Sequence, residues 1–242
     1  MKDNFSTKSE DYAKFRPGYP AEVFRFIENH LRNKEKAWDC GTGNGQVAEA
    51  VSEFMERVEA TDISRRQLEN AVAKPNIYYS RQSAEKTKFP DESFDLVTVG
   101  QAIHWFNFDE FYGEVKRLLK PGGLIAVLGY SLFNSNPETD EVILKFYKEI
   151  IGPFWDPERK YLDEKYQSIP FPFDEIGTPQ FESKVSWSFE HLIGYLRTWS
   201  AVKHYENSKN HNPVDLISEE LYKAYGDYGE ISFPILFRLG RK

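Results

Sequence analysis

Three glycines at alternate positions follow an acid in Asp39-Cys40-Gly41-Thr42-Gly43-Asn44-Gly45, and a helix-compatible run begins at Gln46. Glycine at Gly41 and Gly43 lets the backbone turn tightly and lets a ligand approach without meeting a Cβ. Such a turn delivers the N-terminus of the next helix, with its unpaired N–H groups, to an anionic or polar ligand. The spacing is GxGxG and not GxGxxG, so the third glycine of a dinucleotide fingerprint is out of register. No Gly-Lys-Ser/Thr follows, which excludes a P-loop. A second acid, Asp62 in Val58-Glu59-Ala60-Thr61-Asp62-Ile63-Ser64, ends a second short strand roughly 20 residues on, where a carboxylate holds a ribose diol. A ligand-free strand-to-helix turn with Asp62 as a helix cap accounts for the same residues. Taken together the two acids and the glycines favour an adenosine-containing ligand.

Gly100-Gln101 follows a fourth apolar run, and ligands of open α/β sheets bind at such carboxyl edges. His104 and Trp105 come next. Being adjacent, they point apart, so at least one faces the cleft. His104 reads as an acceptor-side group or as a structural histidine. Trp105, Trp155, Trp187 and Trp199 are candidate walls for a cation, though each equally suits a core. Cys40, the single cysteine, is read as a small buried side chain. It cannot form an internal disulfide, and no His/Cys/Asp cluster has metal-ligand spacing, so no metal is expected.

The elements that must position these groups alternate. Strands are expected near residues 37–40, 58–61, 77–80, 94–99 and 124–128, and helices near 46–54, 65–72 and 108–119. Another helix opens at Pro20 and Ala21. Connections of this length fit parallel strands with right-handed crossovers. Lys120-Pro121-Gly122-Gly123 stops the helix before the fifth strand. Residues 130–180 are rich in Pro and aromatics, with one helix near 138–150 and otherwise loop character. They read as an acceptor cap inserted after strand five. Alternation at Phe181, Ser183, Val185 and Trp187, then residues 231–239, returns the chain to the sheet. Pro234 implies a bulge there.

Asp39–Gly45, Asp62-Ile63-Ser64, Ser83-Ala84-Glu85, Phe89-Pro90-Asp91 and Leu118-Leu119-Lys120-Pro121-Gly122-Gly123 resemble the successive motifs of class I S-adenosylmethionine-dependent methyltransferases. Residues 12–20, Gln101-Ala102-Ile103-His104-Trp105-Phe106 and residues 194–200 are similar to the small-molecule branch that includes trans-aconitate methyltransferase-like proteins. The resemblance implies a doubly wound, mostly parallel seven-stranded sheet and S-adenosylmethionine as methyl donor. It implies cofactor contacts at Tyr12, Arg16, Asp39, Gly41, Gly43, Asp62, Ile63, Ser83, Ala84, Glu85, Gly100 and Gln101, with His104 and Trp105 on the acceptor side. Within these, residues 1–20 form a lid with Arg16 near the methionine carboxylate, and backbone carbonyls of Gly100 and Gln101 suit the ammonium. Many relatives carry Asp where Ser83 stands, so a hydroxyl replaces a carboxylate at the adenine edge.

At 242 residues and 40% apolar content the chain is expected to form one domain, residues 1–242, with a substantial core. A net charge of −7 disfavours nucleic acid and anionic membranes as partners; the resemblance implies a small-molecule acceptor, with a carboxylic acid favoured. Residues 1–14 lack the apolar core of a signal peptide, and a cytoplasmic enzyme is expected. Rival readings are a cofactor-binding sensor without transferase activity, and transfer to a hydroxyl or amine in place of a carboxylic acid.

Overall fold

The apolar runs become the middle of a sheet in the computed structural model, which describes residues 15–242. Five strands are parallel: β1 (Lys36–Cys40), β2 (Arg57–Asp62), β3 (Ile77–Arg81), β4 (Phe94–Gly100) and β5 (Leu119–Tyr130). From Phe94 to Val99 every residue of β4 is buried, as a strand covered on both faces requires. β8 (Tyr228–Arg241) runs antiparallel to β5, and β6 (Asp174–Ile176) and β7 (Phe181–Ser188) lie along its other side. The strand order is β3-β2-β1-β4-β5-β8-β6, with β7 also on β8. Eight strands thus occupy the seven expected places, because β6 and β7 are one strand interrupted at residues 177–180.

The bulge expected at Pro234 is absent. Pro234 pairs with Glu182 in an unbroken register, and its carbonyl accepts from the Ser131 N–H at 3.1 Å. The nitrogen of Pro234 therefore faces the side where the β5 ladder has just ended at Tyr130. The irregularity lies instead on the neighbouring edge, where the β6–β7 side carries one residue more than β8 opposite it.

One face of the sheet is covered by α1 (Ala21–His30) and α2 (Gln46–Ser52), which bury Val23, Ile27, Val47 and Val51 against Leu96 and Leu124. The other face takes α4 (Phe108–Leu118); between them in sequence, α3 (Arg65–Glu69) follows β2. Asn107 caps α4 by accepting the Glu110 N–H at 3.4 Å. Phe111, Val115 and Leu118 are fully buried against Trp38 and Phe94, each worth about 1.5–3 kcal/mol. That anchorage holds the preceding residues 101–107 over the sheet's carboxyl edge.

Between β5 and β6 the chain leaves the sheet through α5 (Pro137–Lys145), a π turn at Phe146–Ile150, tight turns at Gly152–Phe154 and Pro157–Arg159, and α6 (Lys160–Asp163). Short helical turns therefore replace much of the loop expected there. Three helices not anticipated from the sequence, α7 (Phe189–Arg197), α8 (Ser200–Lys209) and α9 (Ser218–Tyr225), join β7 to β8. No helix of the described residues is long and apolar enough to cross a membrane.

Candidate active site

The glycine loop leaves β1 and enters α2 with all three glycines left-handed: φ is +67° at Gly41, +57° at Gly43 and +89° at Gly45. A Cβ on Gly41 would lie 2.8 Å from the Ala102 Cβ, whereas one on Gly43 would meet nothing within 4 Å. So Gly41 permits close packing, while Gly43 opens onto space. The loop is tied to β2 by the Thr42 N–H, which donates to the Thr61 carbonyl at 2.9 Å.

The two strand-end acids take opposite roles. Asp39 is fully buried and accepts from the Thr42 hydroxyl at 2.5 Å and the Thr98 hydroxyl at 2.7 Å. Burial pushes its pKa up to about 6 against those two hydrogen bonds, which pull it down. Asp39, expected to touch a cofactor, stands behind the loop and braces it, because its side chain is fully buried and bonded to Thr42, Thr98 and the backbone of α2 at Ala48. Asp62 faces outward. Its carboxylate accepts from the Gly43 N–H at 2.9 Å and the Ser64 N–H at 2.8 Å, which fixes it at a cavity rim.

That cavity is lined by Arg16, Tyr19, Gly41, Gly43, Asp62, Ile63, Gly100, Gln101 and Trp105, among others. It gathers the expected residues Arg16, Gly41, Gly43, Asp62, Ile63, Gly100 and Gln101 from separate loops. Ser83, Ala84 and Glu85 are not among its lining. Ser83 donates to Glu85, Glu85 accepts the Asn107 N–H at 3.3 Å, and Ala84 is buried, so this segment braces the next loop. Tyr12 lies outside the described residues. Sequence reasoning missed Asn44, Gln67, Ala102 and Tyr130, which also line the cavity. Tyr130 carried a signal only as the end of an apolar strand.

Gln101 is a non-glycine with φ +53°, a conformation worth about 1–3 kcal/mol of strain. It is held there by Tyr130: the Gln101 side chain accepts from the Tyr130 N–H at 2.8 Å and donates to its carbonyl at 3.3 Å. Arg16 donates to the Tyr130 hydroxyl at 2.9 Å and to the Thr198 carbonyl at 3.4 Å.

A second cavity adjoins the first, and Arg16, Gln101 and Trp105 line both. His104 lines only the second, beside Trp155, Arg159 and Trp199. Its Nδ1 lies 3.4 Å from the Tyr166 hydroxyl. Burial, and then the Arg159 charge, push the His104 pKa down to about 3, so the imidazole is neutral at ordinary pH. Trp187 does not reach this site. It packs on His191, Tyr195 and Phe233 in the core. Cys40 is fully buried with its thiol pushed well up by burial, which makes it unreactive. Among the described residues no group of three His, Cys, Asp or Glu is placed to hold a metal.

The first cavity fits an adenosylated amino acid in kind: a backbone cradle without a Cβ at Gly43, an outward carboxylate at Asp62, and a guanidinium at Arg16. Residues 38–127 match the family model described as a methyltransferase domain. A Dictyostelium discoideum protein named as a proposed methyltransferase is 35% identical, over 99% of this chain and 95% of its own. An uncharacterized methyltransferase of Schizosaccharomyces pombe is 26% identical over 96% and 93%. The solved structure of a proposed type II methyltransferase from Anaeromyxobacter dehalogenans superposes with a TM-score of 0.87 at 35% identity, covering 94% of this chain and 98% of that one. With identity at that level across both chains, and the sheet order and glycine loop described above, this chain belongs to the class I S-adenosylmethionine-dependent methyltransferases.

Proposed function

We propose that the protein binds S-adenosylmethionine in the first cavity and methylates a small acceptor in the second, releasing S-adenosylhomocysteine, with a carboxylic acid as the favoured acceptor. The observation that carries this reading is the shared wall: Arg16, Gln101 and Trp105 line both cavities, so two ligands meet there. Bound S-adenosylmethionine supplies a methyl on a positively charged sulfur, and the protein's task is alignment and exclusion of water. Asp62 and Gly43 hold a ribose, Ile63 lies beside it, and Ser83, Ala84 and Glu85 support the adenine side. Gly100 and Gln101 take the ammonium end and Arg16 the carboxylate end. Trp105 is the wall between donor and acceptor, and His104 donates a hydrogen bond that orients the acceptor.

The state of His104 supports the acid. A group with a pKa near 3 is a poor base for a hydroxyl, whereas a carboxylate is already ionised near neutral pH and needs none. The whole chain, residues 1–242, acts in this reading as one cytoplasmic domain, with residues 1–20 as a lid and residues 130–180 as the acceptor cap. Trp155, Arg159 and Leu162 come to the second cavity from that last segment. A net charge of −7 argues against nucleic acid as acceptor. The test is a screen of small acids, alcohols and amines with labelled methyl donor, read by product mass. A methyl ester is expected; label on oxygen of an alcohol or on nitrogen would overturn the acid.

A further inference from the structure

Arg159 has no assigned task, and its surroundings are unusual for a surface arginine. It sits at the end of the short turn Pro157–Arg159, with its side chain 16% exposed. The Tyr147 hydroxyl lies 2.6 Å from its Nε, and the Asp163 carboxylate approaches the same nitrogen at 3.5 Å. The guanidinium carbon stands 4.5 Å from the Trp155 ring centre and 5.1 Å from that of Tyr147. These contacts fix the plane of the group through its Nε side. No hydrogen bond among the described residues uses either terminal nitrogen.

Those terminal nitrogens form the fork that matches a carboxylate. With Nε pinned and both terminal nitrogens left open to the cavity, the fork points to an anion that completes it. Of the other groups on the wall, His104 is neutral, while the Asp156 carboxylate opposes an anion, so Arg159 must outweigh it. Arg16, which donates to Tyr130 and Thr198, is already given to the carboxylate of the cofactor in the reading above.

Position adds the second half of the argument. Arg159 lines the second cavity only, away from the wall shared with the first. A carboxylate held in a bidentate fork also has its lone pairs committed, which makes it a weak nucleophile. We propose that Arg159 selects the acceptor by gripping a carboxylate that is not the group methylated, so that the acceptor carries an anchoring carboxylate besides its reacting atom. This rests on the second cavity being the acceptor site.

The test titrates the full chain, with and without S-adenosylhomocysteine, with benzoate, succinate and phthalate and with their uncharged methyl esters, following tryptophan fluorescence. At least one acid should bind at least about tenfold more tightly than its ester. Arg159→Met should lose about tenfold or more of that affinity, with S-adenosylhomocysteine binding changed less than about twofold, and Arg159→Lys should fall between, since it keeps the charge without the fork. Tyr147→Phe removes only the hydroxyl at Nε and should weaken acid binding about threefold or more, which serves if the Arg159 variants do not fold. Acids bound no better than esters, no acid bound at about 50 mM, or equal acid affinity in parent and variants would overturn the proposal. Acid bound through Arg159 by a protein that takes no S-adenosylhomocysteine would instead defeat the cofactor reading and leave the anchor standing.

Discussion

Replacing Gly43 with alanine separates binding from folding, and Gly41→Ala is its internal control. Both residues are left-handed, at φ +57° and +67°, so alanine at either carries about 1–2 kcal/mol of backbone strain. At Gly43 the new methyl meets nothing within 4 Å, so strain is the whole stability effect. For a chain of this size that is a fall in melting temperature of about 2–8 °C. At Gly41 the methyl stands 2.8 Å from the Ala102 Cβ and 3.2 Å from the Phe106 ring, adding about 1–3 kcal/mol of overpacking. Gly41→Ala should therefore be the less stable variant by urea titration. Calorimetry with S-adenosylhomocysteine should reverse the emphasis. The Gly43 methyl occupies space that the loop leaves open beside Asp62, and affinity should drop about 10- to 100-fold, or about 1.4–2.7 kcal/mol. A Gly43→Ala protein that binds within about twofold of the parent would refute the placement of the ligand against this loop.

Three further outcomes are expected. His104→Gln keeps a donor and should lose less than about tenfold in activity, with no ascending limb near pH 6.5 in parent or variant, because the native imidazole has a pKa pushed down to about 3. A steep limb in the parent that vanishes in the variant, with a loss of about 10²-fold, would instead make His104 a base and the acceptor an alcohol. Asp39 loses its proton at about 6 in the fold and 3.8 in the unfolded chain, so between those pH values the fold holds more protons and stability falls as pH rises. Asp39→Asn removes that fall, so relative to the parent it should gain up to about 3 kcal/mol between pH 4 and pH 7; parallel stability profiles would count against the ionised, buried carboxylate. Finally, tryptic cleavage after Lys14 should slow when S-adenosylhomocysteine is added, as a lid over residues 1–20 requires, and equal rates would make it a static strap.

The chain's own pattern determined the glycine loop, the five strands β1 to β5 and the strand-end acid Asp62, because each is written in residue types along one short stretch of chain. Turn geometry is set by Gly41 and Gly43 themselves, and strand burial by unbroken apolar runs such as residues 94–99. What the sequence could not carry is direction. Asp39 and Asp62 both end a strand beside the loop, yet one is turned inward by a hydroxyl on Thr98, 59 residues away, and the other outward onto Gly43. Pro234 looked disruptive until β5 was seen to end beside it. Helices α7 to α9 escaped notice because their apolar positions are read only against the partners they cover, such as Phe133 and Phe233 beneath Tyr195. The second cavity is wholly tertiary: Arg16, His104, Arg159 and Trp199 come from four distant segments. Each is unremarkable where it stands in the chain, and only folding pins Arg159 by its Nε and brings it to one cavity wall with a neutral histidine.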